Sequence, residues 1–66
     1  MLVVQVEVIY PNNYSIIEYF SSDEIQSLIN FLKENLNDGA NVIVRITNDL
    51  GFILSRYNKE EIKTLV

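Results

Sequence analysis

The chain contains no cysteine and no histidine. Disulfides are therefore excluded, and so are the cysteine and histidine ligand sets of most structural zinc sites. The same absences remove the thiol and imidazole groups that most nucleophilic and acid–base mechanisms use at neutral pH. With 66 residues, the chain lies near the lower size limit of domains that fold without crosslinks. Its stability must come from a hydrophobic core, with or without oligomerisation.

Glycine and basic residues are also scarce. The two glycines, Gly39 and Gly51, lie 12 positions apart, so the chain has no glycine-rich phosphate-binding loop. Five scattered basic residues and a formal net charge of −4 count against nucleic-acid binding, because nucleic-acid binders ordinarily carry a basic patch. No apolar run approaches the roughly 20 residues of a membrane span, and no basic signal-peptide region precedes the first apolar run. We therefore expect a cytoplasmic protein without membrane association.

The residues that are present form two successive strand–turn–strand–helix patterns. Together they organise residues 1–66 as one domain with a hydrophobic content of 48%. The predicted strands cover residues 3–10, 14–20, 41–47 and 52–57, and the helices follow near residues 25 and 59. This ββαββα order predicts an α+β fold, in which a four-stranded antiparallel sheet carries one long helix packed on one face and a short C-terminal helix.

The long helix has the clearest local signals. Ser21, followed three residues later by Glu24, has the pattern of a capping box. Gly39, or alternatively Asn37, is able to adopt the left-handed conformation that ends a helix. Phe31 lies beside the apolar stripe and is expected to pack at the margin between helix and sheet. The stripe itself, at helical spacing, consists of Ile25, Leu28, Ile29, Leu32 and Leu36.

The first hairpin is expected to close with a two-residue turn. Asn12 and Asn13 follow Pro11 and tolerate the positive φ angles that such a turn requires. This turn would place Glu7 directly opposite Glu18 on the outer side of the sheet, with a cost from like-charge repulsion. The residues of this hairpin then predicted to face the core are Val6, Val8, Ile17 and Tyr19.

The register of the second hairpin stays open. Residues 48–51 form its loop, in which Gly51 is able to adopt a left-handed conformation. A three-residue loop would turn Phe52 and Leu54 toward the core. A four-residue loop would instead turn inward Ile53, Ser55 and Tyr57.

The C-terminal helix begins with a second capping pattern, Asn58 followed by Glu61. Its apolar stripe is short and consists of Ile62, Leu65 and Val66. Three apolar residues are too few to cover a four-stranded sheet. Whether this helix lies across the outer side of the sheet stays open.

The sheet side opposite the long helix is the candidate functional surface. In the predicted registers it combines acidic side chains with more apolar surface than a monomer ordinarily exposes. We expect a second copy of the chain or another protein to cover it, and a homodimer is expected to form either through this face or by pairing of edge strands. The predicted partner-binding residues are Glu7, Ile9, Ile16, Glu18, Phe20, Ile43, Arg45 and Tyr57, with Phe52 in place of Tyr57 in the other register.

No set of residues indicates catalysis, a cofactor or a metal site. Two glutamates on an open sheet offer no cleft in which a glycoside could be held. We therefore predict a small, acidic, non-enzymatic protein-interaction or regulatory module. A chain rich in asparagine and isoleucine with a single alanine also suggests an AT-rich genome, and with it a phage or plasmid origin.

Two alternative functions involve nucleic acid. In the first, Phe20 and Tyr57 are stacking platforms for a single strand, and Arg45 and Arg56 contact its phosphates. In the second, the acidic surface mimics nucleic acid and blocks a DNA-binding protein. The ββαββα order differs from that of the common RNA-binding domains, and no motif is specific to a family.

Overall fold

A computed structural model describes residues 1–36 and 39–66. Its strands form one antiparallel sheet in the order β2-β1-β3-β4, which confirms the predicted α+β fold and ββαββα order. Asn37, one of the two expected helix stops, lies outside the described residues. The elements are β1 (Val3–Ile9), β2 (Ser15–Ser21), α1 (Ile25–Asn35), β3 (Asn41–Thr47), β4 (Ile53–Tyr57) and α2 (Lys59–Leu65).

Both helices pack on the same side of the sheet. The buried apolar cluster joins side chains of β1 and β3 to Leu32 and Leu36 at the end of α1 and to Ile62 of α2. The short helix therefore extends the layer formed by the long one, and the opposite side of the sheet is left without a helix. The complete cluster consists of Val6, Val8, Leu32, Leu36, Ala40, Val42, Val44 and Ile62.

The first hairpin closes with a three-residue loop, so the predicted two-residue turn is wrong. The Tyr10 amide donates to the Tyr14 carbonyl at 2.7 Å, and the Asn13 amide donates to the Tyr10 carbonyl at 2.9 Å. Asn13 has a φ of 68°. Pro11 explains this choice, since its ring holds the φ angle of the second position of a type I turn. A type I turn closes a hairpin when a left-handed residue follows it.

The longer loop shifts the register of β2 by one residue, which exchanges the two faces of the strand. Ile17 and Tyr19, which were predicted to face the core, point outward and are 45% and 62% exposed. Ile16 and Phe20 pack against the core in their place. The Phe20 ring lies 5.7 Å from the ring of Phe31, between centroids, which confirms the position predicted for Phe31 at the helix–sheet margin.

The second hairpin has the same type of loop. The Asn48 amide donates to the Phe52 carbonyl and the Gly51 amide donates to the Asn48 carbonyl, both at 3.1 Å. Gly51 has a φ of 84° and takes the left-handed position that Asn13 occupies in the first loop. Loop length alone would then turn Phe52 inward, yet this side chain is 65% exposed at the end of the hairpin.

A β-bulge separates this loop from the rest of β4. The register shifts by one residue between Ile46 and Thr47 of β3. If the loop register continued, Arg56 would lie opposite the buried Val44. The bulge places Tyr57 opposite Val44 instead, so that an aromatic ring and not a guanidinium group packs against the core. The strand thus combines the three-residue loop with two of the inward side chains expected from the four-residue loop, those of Ser55 and Tyr57. Ile53, the third, lies before the bulge opposite Thr47 and points outward.

The two helices begin differently. The α1 capping box predicted at Ser21 is wrong, because Ser21 ends β2 and the N-cap position of α1 falls on Glu24, without a side-chain capping bond. The Ser21 amide does donate to the Glu24 carboxylate at 3.0 Å, and this bond holds the pKa of Glu24 below its ordinary value. The box predicted in α2 is confirmed, with the Glu61 amide donating to the Asn58 side chain at 2.9 Å.

The left-handed loop positions lead to a first prediction. Gly51→Ala should lower the free energy of unfolding by about 1 kcal/mol, because an L side chain at φ 84° is strained although no atom lies within 4 Å of the added Cβ. Asn13→Gly, the matched change in the other loop, should alter it by less than about 0.5 kcal/mol. Urea denaturation measures both, and an equal or larger effect at Asn13 would contradict these loop conformations.

The register of β2 leads to a second prediction. Phe20→Ala should cost about 2 kcal/mol, since it removes a half-buried ring that packs on Phe31. Tyr19→Ala, one residue earlier on the outward side, should change the stability by no more than about 0.5 kcal/mol. Urea denaturation at low protein concentration compares the two variants. The opposite order of effects would favour the two-residue turn.

Candidate protein-interaction surface

The sheet side opposite the two helices, hereafter the outer face, carries alternate residues of all four strands. The strand registers determine its composition. Apolar side chains are spread over the four strands, and the charged groups lie on the two inner strands and at the β4 edge. Its residues are Val3, Gln5, Glu7, Ile9, Ser15, Ile17, Tyr19, Ser21, Asn41, Ile43, Arg45, Thr47, Ile53 and Arg56.

A polar network crosses the centre of the outer face. Arg45 donates from Nη1 to Glu7 Oε1 and to Gln5 Oε1, each at 3.0 Å. Gln5 in turn donates from Nε2 to the Tyr19 hydroxyl at 3.3 Å. These contacts join β3, β1 and β2, which are neighbours in the sheet. The charged side chains of Arg45 and Glu7 are each only 21% exposed, so the pair is better shielded from water than an ordinary surface ion pair.

Isoleucine side chains border this network. Ile17 of β2 and Ile43 of β3 lie on either side of Glu7 in the paired strands. Ile17 is 45% exposed, and Ile53 at the β4 edge is 58% exposed. In protein–protein interfaces, fixed charges give orientation and apolar area gives affinity, so this combination makes the outer face a candidate interaction surface.

The structure brings together half of the predicted partner-binding residues. The outer face carries Glu7, Ile9, Ile43 and Arg45. The prediction that all eight share one face is wrong, because the helix side of the sheet carries Ile16, Glu18, Phe20 and Tyr57. The three-residue loop moves the β2 residues, and the bulge in β4 moves Tyr57. Glu7 consequently lies opposite Ile17, and the expected repulsion from Glu18 does not arise.

Two outer-face residues of β2, Ile17 and Tyr19, were not predicted from the sequence to lie on this face. The signal that could have found them was Pro11, whose φ angle suits a type I turn and hence a three-residue hairpin loop. The positions of two aromatic residues also bear on the alternative in which the sheet binds single-stranded nucleic acid. Phe20 and Tyr57, its two expected stacking platforms, both pack on the helix side.

Two further features, groups of metal ligands and helices able to span a membrane, bear on the class of site. Within residues 1–36 and 39–66, no three side chains of the acidic, histidine or cysteine types are grouped so as to hold a metal ion. In the same described ranges, no helix combines the length and the apolar composition needed to cross a membrane.

Comparison with known proteins provides no relative from which a function could be inferred. No protein-family model, curated protein or solved structure significantly matches this chain. The functional argument therefore depends on the geometry of the described surfaces.

The central ion pair leads to a third prediction. Arg45→Met should lower the free energy of unfolding by about 1–2 kcal/mol, because it leaves the shielded Glu7 carboxylate without its cation. The double variant Arg45→Met, Glu7→Leu should recover most of that loss, since no unpaired charge remains. Urea denaturation of both variants tests this expectation. A double variant no more stable than Arg45→Met would contradict the assigned coupling.

Proposed function

We propose that this protein is a non-enzymatic interaction module that associates through its outer face, in the first place with a second copy of itself. The observation that carries the proposal is the packing of both helices on one side of the sheet. The other side then exposes apolar side chains of four strands to water. Covering it removes that apolar area from solvent, which is the main driving force of protein association.

The charges of the outer face favour a second copy as the occupant. In an interface with two-fold symmetry, the same patch meets itself, so each residue of one copy faces its complement in the other. Glu7 and Arg45 lie side by side, with 3.0 Å between Oε1 and Nη1. A two-fold axis near this pair would place Glu7 of each copy close to Arg45 of the other, leaving no charge unpaired.

The small core also supports association. The largest fully buried side chains are three valines, Val6, Val8 and Val42. In the described part of the chain, eight apolar residues are buried, whereas twelve large apolar side chains are exposed. A chain of this size gains stability when an interface buries further apolar surface. Any partner that binds only the folded form, including a second copy, stabilises that form.

The identity of the occupant defines two forms of the proposal. In the homodimer, the outer face is used for self-association, and any regulatory contact lies elsewhere. In the other form, the chain is a monomer that binds a different protein through the same face. The cytoplasmic location and the phage or plasmid origin expected from composition belong to this proposal as well.

A fourth prediction tests the outer face directly. Light scattering over a concentration series should show a dimer of the unmodified chain. Ile43→Arg should give a monomer, because it places a bulky cation in the apolar part of the outer face beside Arg45. Leu50→Arg is the matched control, since Leu50 is 80% exposed in the second hairpin loop, and it should remain a dimer.

Three results would contradict one or both forms of the proposal. A dimer that Ile43→Arg leaves intact would show that self-association uses another surface. A monomeric wild-type chain would contradict the homodimer. Wild type and Ile43→Arg would then be compared for their capture of a partner from cell extract. Capture that is equally efficient with wild type and Ile43→Arg would also contradict the use of the outer face.

A further inference from the structure

A second open apolar surface lies on the helix side, between α1 and α2. It is a groove of about 370 Å³. Its lining side chains are aliphatic apart from that of Tyr57. The walls include Ile25 and Ile29 of α1, Leu65 of α2 and Val66, which follows α2, and Val4 and Ile46 contribute to the sheet side of the groove. The groove is on the opposite side of the sheet from the outer face, so it is independent of the association proposed above.

Two lysines stand beside this groove. A neighbouring depression is lined by Lys33 of α1 and Lys63 of α2, together with Leu36 and Val66. Val66 lines both the depression and the groove, so the two adjoin at this residue. Lys63 has one weak contact, 3.9 Å from its Nζ to a carboxylate oxygen of Glu60. Among the described residues, Lys33 forms no ion pair.

The depression beside the groove carries most of the lysines of an acidic chain. The protein has three lysines and a formal net charge of −4, and two of the three lysines line this depression. An apolar groove that adjoins a depression with two ammonium groups matches a ligand with an apolar body and an anionic end. Neither feature alone would specify that ligand.

We propose that the groove binds a single-chain amphipathic anion, an unbranched alkyl chain that ends in a carboxylate. The alkyl chain lies against Ile25, Ile29 and Leu65, and the carboxylate lies between the Nζ atoms of Lys33 and Lys63. The volume falls in the range of small-ligand sites, about 300–1,000 Å³. This binding site goes beyond the outer-face association and does not depend on it.

The dimensions of α2 favour an alkyl chain over a docked helix. A helix held in a groove contacts it with residues from i to i+7, which span about 10 Å. The wall that α2 contributes runs from Ile62 to Val66, the residue that follows the helix, which corresponds to a rise of only about 6 Å. This wall is shorter than the stretch that two turns of a partner helix would contact, whereas a flexible alkyl chain can bend to follow a groove with walls of unequal length.

The test compares two amphiphiles that differ in the charge of the head group. Sodium decanoate and decyltrimethylammonium bromide are titrated into the protein below their micelle concentrations and followed by two-dimensional NMR. The net charge of −4 favours the cation at long range, so a preference for the anion requires the local lysines. We expect saturable shifts at Ile25, Ile29 and Leu65, with decanoate bound about fivefold more tightly at low ionic strength.

Variants separate the two parts of the site. Lys33→Gln with Lys63→Gln should abolish the preference for decanoate. Leu65→Ser should weaken both amphiphiles to a similar degree, because Leu65 contacts only the alkyl chain. Ile43→Arg on the outer face should change neither affinity, which keeps this result distinct from the outcome for self-association.

Several outcomes would overturn the proposal. One is equal or tighter binding of the cationic amphiphile, and another is a set of shifts centred on the outer-face residues Ile17 and Ile43. Absence of saturable decanoate binding would also overturn the proposal. If an acidic amphipathic helical peptide then bound the groove saturably, the occupant would be a protein helix and not an alkyl chain.

Discussion

The backbone conformation of the first hairpin loop determines which side chains of β2 face the helices, and the rest of the molecule depends on that choice. Pro11 favours a type I turn, and Asn13 at φ 68° closes it into a three-residue loop. Because side chains alternate along a strand, one loop residue exchanges both faces of β2. Phe20 thereby packs on Phe31 in the core, and Tyr19 joins the polar network of the outer face.

The β-bulge in β4 determines which side chains of that strand, at the other edge of the sheet, face the core. The second loop has the same geometry as the first, and by itself it would direct Arg56 toward buried Val44. The extra residue restores Tyr57 to the core side and leaves the guanidinium group exposed. A short edge strand with a bulge is also poorly suited to pairing with another chain, which favours association through a face of the sheet over association through this edge.

The same packing leaves two apolar surfaces of different character. On the outer face, a shielded ion pair lies among isoleucines, a composition that complements itself across a two-fold axis. On the helix side, α2 covers only part of the sheet, and the remaining gap beside α1 continues to Lys33 and Lys63. The outer face is open because both helices pack on the other side of the sheet. The groove is open because seven residues of α2 and eleven of α1 are too few to cover that other side completely.

The sequence by itself determined the order of elements, the apolar stripe of α1 and the capping box at Asn58, because these depend on residues close together in the chain. It also placed Glu7 and Arg45 on the outer face, since β1 and β3 have clear alternation. Only the tertiary structure decided the faces of β2 and β4, because large apolar residues occupy both odd and even positions of each strand. They are Ile16, Ile17, Tyr19 and Phe20 in β2 and Ile53, Leu54 and Tyr57 in β4. There the pattern permits either register, and loop geometry together with the cost of burying Arg56 makes the choice.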